Sequence, residues 1–161
     1  MKKQLLVIGN GMVGHHFAEQ LMASDSADEF QLQVFAGEKH PAYDRVHLSE
    51  YFEAESAAHL QLGDADFYSR DGINLHLNQP VLSIDRAARK VTTATGEFGY
   101  DKLVLATGSY PFVPPIPGRE QDHCLVYRTL DDLDAIRESA KGATVVLWWG
   151  EGCWVLRRRT H

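Results

Sequence analysis

Three glycines near the start of the chain have the types and spacing of a loop that binds a phosphate group. Gly9, Gly11 and Gly14 form the pattern G-x-G-x-x-G directly after the apolar residues 5–8. The first glycine allows a tight turn, the second lets the backbone approach a pyrophosphate, and the third lets the next helix pack closely on the strand. The pattern therefore predicts dinucleotide binding. The alternative is a glycine-rich strand–helix turn that holds no ligand.

The elements around this turn are those that would position such a ligand. Residues 5–8 indicate a buried parallel strand, and residues 17–22 form an amphipathic stretch that indicates a helix. Residues 31–35 alternate and predict the second strand of a βαβ unit. Glu38 follows that strand, where an acid accepts hydrogen bonds from a ribose. Glu38 is therefore a candidate ribose ligand, and a solvated loop carboxylate is the alternative.

The middle of the chain predicts short elements. Residues 37–62 indicate loop and short helix, and residues 64–70 indicate one short helix that stops before Gly72. Short strands separated by close turns then predict a small antiparallel meander, built from residues 73–77, 81–85, 89–93 and 97–100.

A second buried strand, residues 103–106, ends in the sharp turn Thr107-Gly108. In open α/β sheets ligands lie at this end of the strands, so the turn belongs with the glycine-rich loop. The prolines that follow indicate an extended connector. Thr129, with an acid three residues later, predicts the start of a helix that ends near Gly142, and residues 145–147 begin another strand.

Composition narrows the class of protein. The chain has 161 residues and a net charge of −6, which disfavours a nucleic-acid-binding surface. The apolar runs are shorter than the ~20 residues that cross a bilayer, so we expect no membrane partner and a cytoplasmic location. Cys124 and Cys153 have neither C-x-x-C nor metal-ligand spacing. We therefore expect incidental thiols and no metal site.

The order of these motifs resembles the FAD-dependent pyridine nucleotide–disulfide oxidoreductase superfamily. The resemblance rests on G-N-G-M-V-G at 9–14, A-Y-D-R at 42–45 and Y-D-K-L-V-L-A-T-G at 100–108. Within the superfamily, residues 43–49 and 126–129 are most similar to the large subunits of assimilatory NAD(P)H nitrite reductases. The resemblance implies an α/β fold: a Rossmann-like FAD-binding domain over residues 1–146, with a parallel sheet and a small antiparallel meander, incomplete at its C-terminus.

The resemblance also implies roles for particular residues. Glu38 would bind the adenosine ribose, and Arg45 would lie beside the cofactor, since a guanidinium suits phosphate oxygens. A surface salt bridge is the alternative for Arg45. Val81 would present backbone groups to adenine, or be a plain core valine. His15 and His16 are expected to be solvated. The remaining cofactor-binding positions lie in the two turns, and they are Gly9, Gly11, Met12, Val13, Gly14, Ala106, Thr107 and Gly108.

In the family, electrons pass from NAD(P)H to FAD. In the nitrite reductases they then pass to an iron–sulfur cluster and sirohaem, where nitrite is reduced, with a small subunit or an electron-acceptor domain as partner. The chain has no cysteine cluster for such centres. We therefore expect an FAD-binding fragment that is not active alone and has no catalytic residue of its own. The alternatives are a non-catalytic FAD or adenine-nucleotide module, and a ferredoxin or rubredoxin reductase-like fragment.

Residues 148–161, most of the aberrant tail assigned to 147–161, fit no expected element, because tryptophans and three consecutive arginines suit no single face of a helix or strand. They stand where the family has a second G-x-G-x-x-G. If the codons are read one base earlier, Trp149 and Gly150 must give glycine, and Trp154 and Val155 must give glycine five positions later. We therefore expect a frameshift near Leu147, with an irregular end and exposed tryptophan. A genuine short basic C-terminus is the alternative.

Overall fold

Four parallel strands form the main sheet of the protein. The computed structural model describes residues 2–53, 56–64, 66–143, 145–148 and 154–157. The sheet order is β3-β2-β1-β7, with bounds β1 Lys3–Ile8, β2 Phe30–Phe35, β3 Ile73–His76 and β7 Lys102–Leu105. The parallel sheet and the Rossmann-like architecture that the sequence predicts are confirmed.

The central strand β1 separates two apolar layers, because successive side chains of a strand point to opposite faces. On one face, Leu5 and Val7 pack with Ala18 of helix α1 (Met12–Met22) and with Phe67. On the other face, a second cluster is formed by Leu6, Ile8, Phe35 and Val91. The continuous apolar run of β1 therefore reflects burial on both sides, as is typical of a parallel sheet.

The predicted antiparallel meander is confirmed, but with one strand fewer. It consists of β4 (Ser83–Asp85), β5 (Lys90–Thr93) and β6 (Gly96–Gly99) in that order. The expectation that residues 73–77 belong to it is wrong, because β3 pairs in parallel with β2, with Leu32 opposite Ile73. A four-residue strand pattern does not indicate its neighbour, which is decided by tertiary pairing.

Two segments of loop are paired by backbone hydrogen bonds. The N–H of Asp44 donates to Leu60 O at 2.7 Å and that of Leu62 donates to Ala42 O at 3.0 Å. The predicted short helix at 64–70 is a single 3-10 turn, Phe67–Ser69. Further 3-10 turns are formed by Ala27–Glu29, Leu48–Phe52 and Ala57–Leu60.

The chain divides into two compact units. The first contains strands β1 to β7 and comprises residues 1–47 and 58–110, and the second comprises residues 48–57 and 111–161. The second unit contains helix α2 (Leu130–Ala140) and the antiparallel strands β8 (Val145–Trp148) and β9 (Trp154–Arg157). The hydroxyl of Tyr51 donates to Asp134 at 2.6 Å, and Arg137 donates to the backbone oxygen of Tyr51. These bonds hold the turn at residues 48–52 to α2.

The end of the chain differs from the expectation. We expected an irregular backbone after the strand at 145, but residues 154–157 form β9, with Trp148 opposite Trp154. Val-Leu at its centre suits a strand, and pairing with β8 supplies the backbone partners. The expected exposure of the tryptophan side chains lies outside what the structure describes. No described helix is long and apolar enough to cross a membrane.

Candidate dinucleotide-binding site

The glycine-rich turn is held between the ends of β1, β2 and β7. Gly9 has φ +107°, and its N–H donates to Phe35 O at 2.8 Å. A Cβ at Gly9 would lie 2.2 Å from Ala106 O, and a Cβ at Gly14 would lie 2.0 Å from Gly9 O. Both distances are far below van der Waals contact. Gly9 and Gly14 are therefore required by the packing of the turn itself.

Gly11 lies in a different environment. The nearest atom to a Cβ built on it is Arg45 Nε at 4.0 Å, and its φ of −84° is open to any residue. Gly11 is the N-cap of α1, and no described side chain caps this helix or places an acid in its first turn. The start of α1 therefore has no side-chain cap among the described residues and has open space beside Gly11, as an oxyanion site at a helix N-terminus requires.

Arg45 and Glu38 form an ion pair beside this space. The hydroxyl of Tyr43 donates to the other carboxylate oxygen of Glu38 at 2.6 Å, and the Arg45 guanidinium lies 5.0 Å from the centre of the Tyr43 ring. The salt-bridge alternative for Arg45 is thus present in the structure, and the same side chain also borders Gly11. A carboxylate has about four lone-pair positions, so Glu38 keeps capacity to accept from a ribose.

The segment that precedes β4 runs beside the end of β2. Gln79 N–H donates to Ala36 O at 2.8 Å, and Asn78 N–H donates to Glu38 O at 2.9 Å. Val81 lies two residues before β4 and not at its first position, and its half-buried side chain packs on the cluster that contains Phe35. This packing agrees with a core valine, and the role of its backbone toward adenine stays a prediction.

The turn after β7 lies against the glycine turn. Ala106 N–H donates to Ile8 O at 2.8 Å, which extends the pairing of β7 with β1. Gly108 has φ +67°, and Thr107 and Gly108 are exposed. The chain leaves β1 toward β2 on one side and returns to β7 on the other, so this crevice is the switch point where open α/β sheets bind ligands.

One prediction at the start of α1 is wrong. His15 was expected to be solvated, but it is buried and its Nδ1 lies 2.7 Å from the Tyr68 hydroxyl. The neighbouring His16 is exposed, as expected. Burial lowers the pKa of His15 below its usual value, although Glu19 opposes this. His15 faces the core because it lies three residues, or about one helical turn, before buried Ala18 on the same face of α1.

A hydrogen-bonded group beneath the turn was missed by sequence reasoning. The Tyr68 hydroxyl donates to Asn10 Oδ1 at 2.5 Å and also contacts His15. Burial raises the pKa of Tyr68 to about 12. A polar residue between the two glycines was the one local signal for it, since Tyr68 is 58 positions away in the chain.

The titratable side chains that the structure describes elsewhere do not form a metal centre. Within the described part of the chain, no three His, Cys, Asp or Glu side chains lie close enough together to hold a metal ion. Cys124 is an exposed free thiol.

A parallel sheet with an uncapped G-x-G-x-x-G turn at its switch point defines a Rossmann-type nucleotide-binding protein. Comparison with known families makes this more specific. The sequence model of the family "Pyridine nucleotide-disulphide oxidoreductase" matches residues 3–148. The chain belongs to this family of flavin-dependent oxidoreductases.

Known relatives agree with this assignment. The chain is 54% identical over 144 residues to the NAD(P)H nitrite reductase large subunit of Klebsiella oxytoca, covering 89% of this chain and 15% of that protein. It is 44% identical over 149 residues to the NADH nitrite reductase large subunit of Escherichia coli K12, covering 89% and 18%. The chain thus spans less than a fifth of these relatives.

A solved structure with a similar fold is that of a ferredoxin reductase from Rhodopseudomonas palustris. The two chains superpose with a TM-score of 0.76 at 29% identity, over 85% of this chain and 34% of the reductase.

Proposed function

We propose that this chain is the FAD-binding part of an NAD(P)H-dependent oxidoreductase of the nitrite reductase large-subunit type. The observation that carries the proposal is the uncapped start of α1 at Gly11, with Arg45 at its border. Backbone N–H groups and a guanidinium are both donors suited to a diphosphate. Membership of the family supports FAD as the nucleotide.

Each residue of the candidate site has a role in binding. Met12 and Val13 donate backbone N–H groups to the diphosphate, while Gly9 and Gly14 allow the turn to form. Glu38 accepts from the adenosine ribose and Arg45 neutralises phosphate charge. Val81 presents its backbone to adenine. Ala106, Thr107 and Gly108 border the flavin side.

The bound flavin would accept a hydride from NAD(P)H and pass electrons on one at a time. The residues of this chain hold and orient it. The names of the relatives support nitrite as the final acceptor and a smaller subunit as partner. The iron–sulfur cluster and sirohaem of such an enzyme would be held by other segments, since the described residues offer no cluster of ligands.

The proposal is tested by titrating the chain with FAD and comparing Gly11→Ala with Gly142→Ala. Neither added Cβ meets an atom closer than 4.0 Å, so both variants should fold. A methyl group at Gly11 stands where the diphosphate approaches. We expect at least a ~10-fold weaker Kd for Gly11→Ala, equivalent to about 1.4 kcal/mol, and an unchanged Kd for Gly142→Ala. Equal Kd values for all three proteins would refute the diphosphate role of the turn.

A second measurement separates an electron-transfer fragment from a complete NADH oxidase. We expect that NADH added anaerobically to the FAD-loaded chain does not bleach the flavin absorbance rapidly, because hydride donor and acceptor are not positioned together. Rapid and saturable bleaching would contradict this. A chain that binds adenine nucleotides but not FAD would favour the alternative of a non-catalytic nucleotide module.

The domain organisation is part of the same proposal. Residues 1–146 form the FAD-binding domain, and residues 147–161 replace the start of an NAD-binding domain through a change of reading frame near Leu147. The match to the family ends at residue 148, which supports this. Sequencing of the coding DNA tests it: a one-base change near that codon should open a frame that encodes Gly-x-Gly-x-x-Gly. If no downstream frame continues into such a domain, the short C-terminus is genuine.

A further inference from the structure

A half-buried tyrosine hydroxyl lies at the glycine turn and contacts residues at both of its ends. Tyr68 donates to Asn10 Oδ1 at 2.5 Å and lies 2.7 Å from His15 Nδ1. Asn10 sits between Gly9 and Gly11, and His15 follows Gly14. The single hydroxyl therefore connects the residue that opens the turn to the first turn of helix α1.

The direction of these hydrogen bonds follows from the number of hydrogens. Tyr68 has one hydroxyl hydrogen, and its raised pKa keeps that hydrogen in place at neutral pH. Because it is donated to Asn10, the contact with His15 requires Nδ1–H to donate to the Tyr68 oxygen. The series of hydrogen bonds thus runs from His15 through Tyr68 to Asn10. Both bonds use the Tyr68 hydroxyl, so the direction of one fixes the direction of the other.

Polar atoms in this position are costly to bury. His15 is 2% exposed and Asn10 is 9% exposed, and Asn10 Nδ2 makes no hydrogen bond to any described residue. His15 Nε2 has Glu19 Oε1 at 3.3 Å without hydrogen-bond geometry. Apolar side chains of similar shape would avoid this cost. The presence of polar side chains at this point has a reason if their hydrogen bonds hold the glycine turn in one geometry.

The segment that carries Tyr68 is itself anchored. Phe67 is buried in the core cluster, and its ring lies 5.3 Å from the His15 ring in an edge-to-face contact. The backbone that carries Tyr68 is therefore fixed by its buried neighbour Phe67, which keeps the Tyr68 side chain at the turn.

We propose that Tyr68 is a positioning residue for the diphosphate site, whose hydroxyl holds Asn10 and His15 so that the N–H groups of Met12 and Val13 face the ligand. The proposal rests on the proposed function, because it concerns the same turn. It assigns Tyr68 no contact with the nucleotide.

The test compares ADP, which has the diphosphate, with adenosine, which lacks it. Tyr68→Phe removes the hydroxyl and keeps the ring. We expect the Kd for ADP to weaken about tenfold, because two buried partners lose their hydrogen bond and the turn loosens. The Kd for adenosine, followed by NMR titration to millimolar concentration, should stay within about twofold, since no phosphate is bound.

The matched control is Tyr51→Phe. Tyr51 is a buried tyrosine, and its hydroxyl, like that of the half-buried Tyr68, donates to a single side-chain acceptor, here Asp134 at 2.6 Å. Tyr51→Phe should lower the thermal unfolding midpoint of the free protein by about as much as Tyr68→Phe does. It should leave the Kd values for ADP and for adenosine unchanged. A second variant, Asn10→Ser, has a side chain too short to reach Tyr68 and should show the same selective loss of ADP affinity if Tyr68→Phe does not fold.

The outcomes separate the two proposals. A wild-type chain that binds neither FAD nor ADP would overturn the proposed function, and with it any diphosphate site for Tyr68 to position. Wild-type binding with an unchanged ratio of ADP to adenosine affinity in Tyr68→Phe and in Asn10→Ser would overturn the positioning role alone. Equal weakening of ADP and adenosine would also overturn it, because that is the effect of a general loss of structure.

Discussion

Helices α1 and α2 have the same length of 11 residues but begin in opposite ways. Helix α2 starts at Thr129, whose side chain accepts from Asp132 N–H while the Asp132 side chain accepts from Thr129 N–H. Helix α1 starts at Gly11, with no described side chain as a cap. Four N–H groups at each helix start need partners. The second helix supplies side-chain partners for two of them, the N–H groups of Thr129 and Asp132, from its own residues. No described side chain does this for the first helix.

This difference means that α1 lacks stabilising interactions that α2 has at its first turn. A capping side chain contributes about 1 kcal/mol, and an acid in the first turn adds about 0.3–1 kcal/mol. Helix α1 has neither. Its first turn is instead held by close backbone packing at Gly9 and Gly14 and by the Tyr68 hydroxyl. A negatively charged ligand can then occupy the position that the cap occupies in α2.

The largest expected effect comes from Gly14→Ala. The new methyl group would lie 2.0 Å from the backbone oxygen of Gly9, so helix α1 must move away from β1. We expect a loss of about 3 kcal/mol or more in the free energy of unfolding, measured by urea denaturation. Gly11→Ala is the control, because its methyl group meets open space. Wild-type stability in Gly14→Ala would show that packing does not hold the start of α1.

A smaller effect is expected for Thr129→Ala. This change removes the side-chain oxygen that accepts from the Asp132 N–H, while the backbone N–H at position 129 can still donate to Asp132. We expect a loss of about 1 kcal/mol in the free energy of unfolding. The Kd for FAD should not change, since no residue assigned to the candidate site belongs to α2. Weaker flavin binding in Thr129→Ala would break the distinction between a helix start that serves stability and one that serves binding.

The smallest expected effect is on the pH dependence of folding stability. Helix α1 contains the buried His15, whereas α2 contains no histidine and should not contribute such a dependence. Burial lowers the pKa of His15, so the unfolded chain binds a proton more readily than the folded one. Stability contributed by neutral His15 should therefore fall as the pH drops below about 6.5, and the loss is complete below the lowered pKa.

Urea denaturation between about pH 7.5 and about pH 5.5 measures this dependence. His15→Gln should reduce it, while the exposed His16→Gln should not. Burial also lowers the pKa of His76, so part of the dependence should remain in His15→Gln. An identical slope in wild type and His15→Gln would contradict the burial of a neutral imidazole at the start of α1.

Local patterns predicted the parts of the fold that depend on neighbouring residues. The turn at 9–14 was predictable because three glycines at fixed spacing allow one backbone path between a strand and a helix. The capping box of α2 was predictable because both partners lie three positions apart. The strand at residues 102–105 and the crevice beside it followed from an apolar run that ends in Thr107-Gly108.

The candidate site itself was predicted in part. Gly11, Glu38 and Arg45 were assigned to one ligand, and the structure places Arg45 beside both of the others. For Arg45 the residues left a surface salt bridge open as the alternative, without naming its partner, and the structure shows that this partner is Glu38. Tyr43, which also donates to Glu38, is buried and its backbone pairs with Gln61, 18 positions later in the chain.

By itself, the sequence determined the βαβ start, the glycine turn and the capped second helix, since each depends on residues that are close in the chain. Only the tertiary structure decided that β3 joins the parallel sheet, that His15 is buried and that Tyr68 lies beneath the turn. The physical reason is sequence separation: Tyr68 lies 58 positions from Asn10 and 53 from His15. No local spacing rule brings such residues together, and it is burial of Phe67 in the shared core that does.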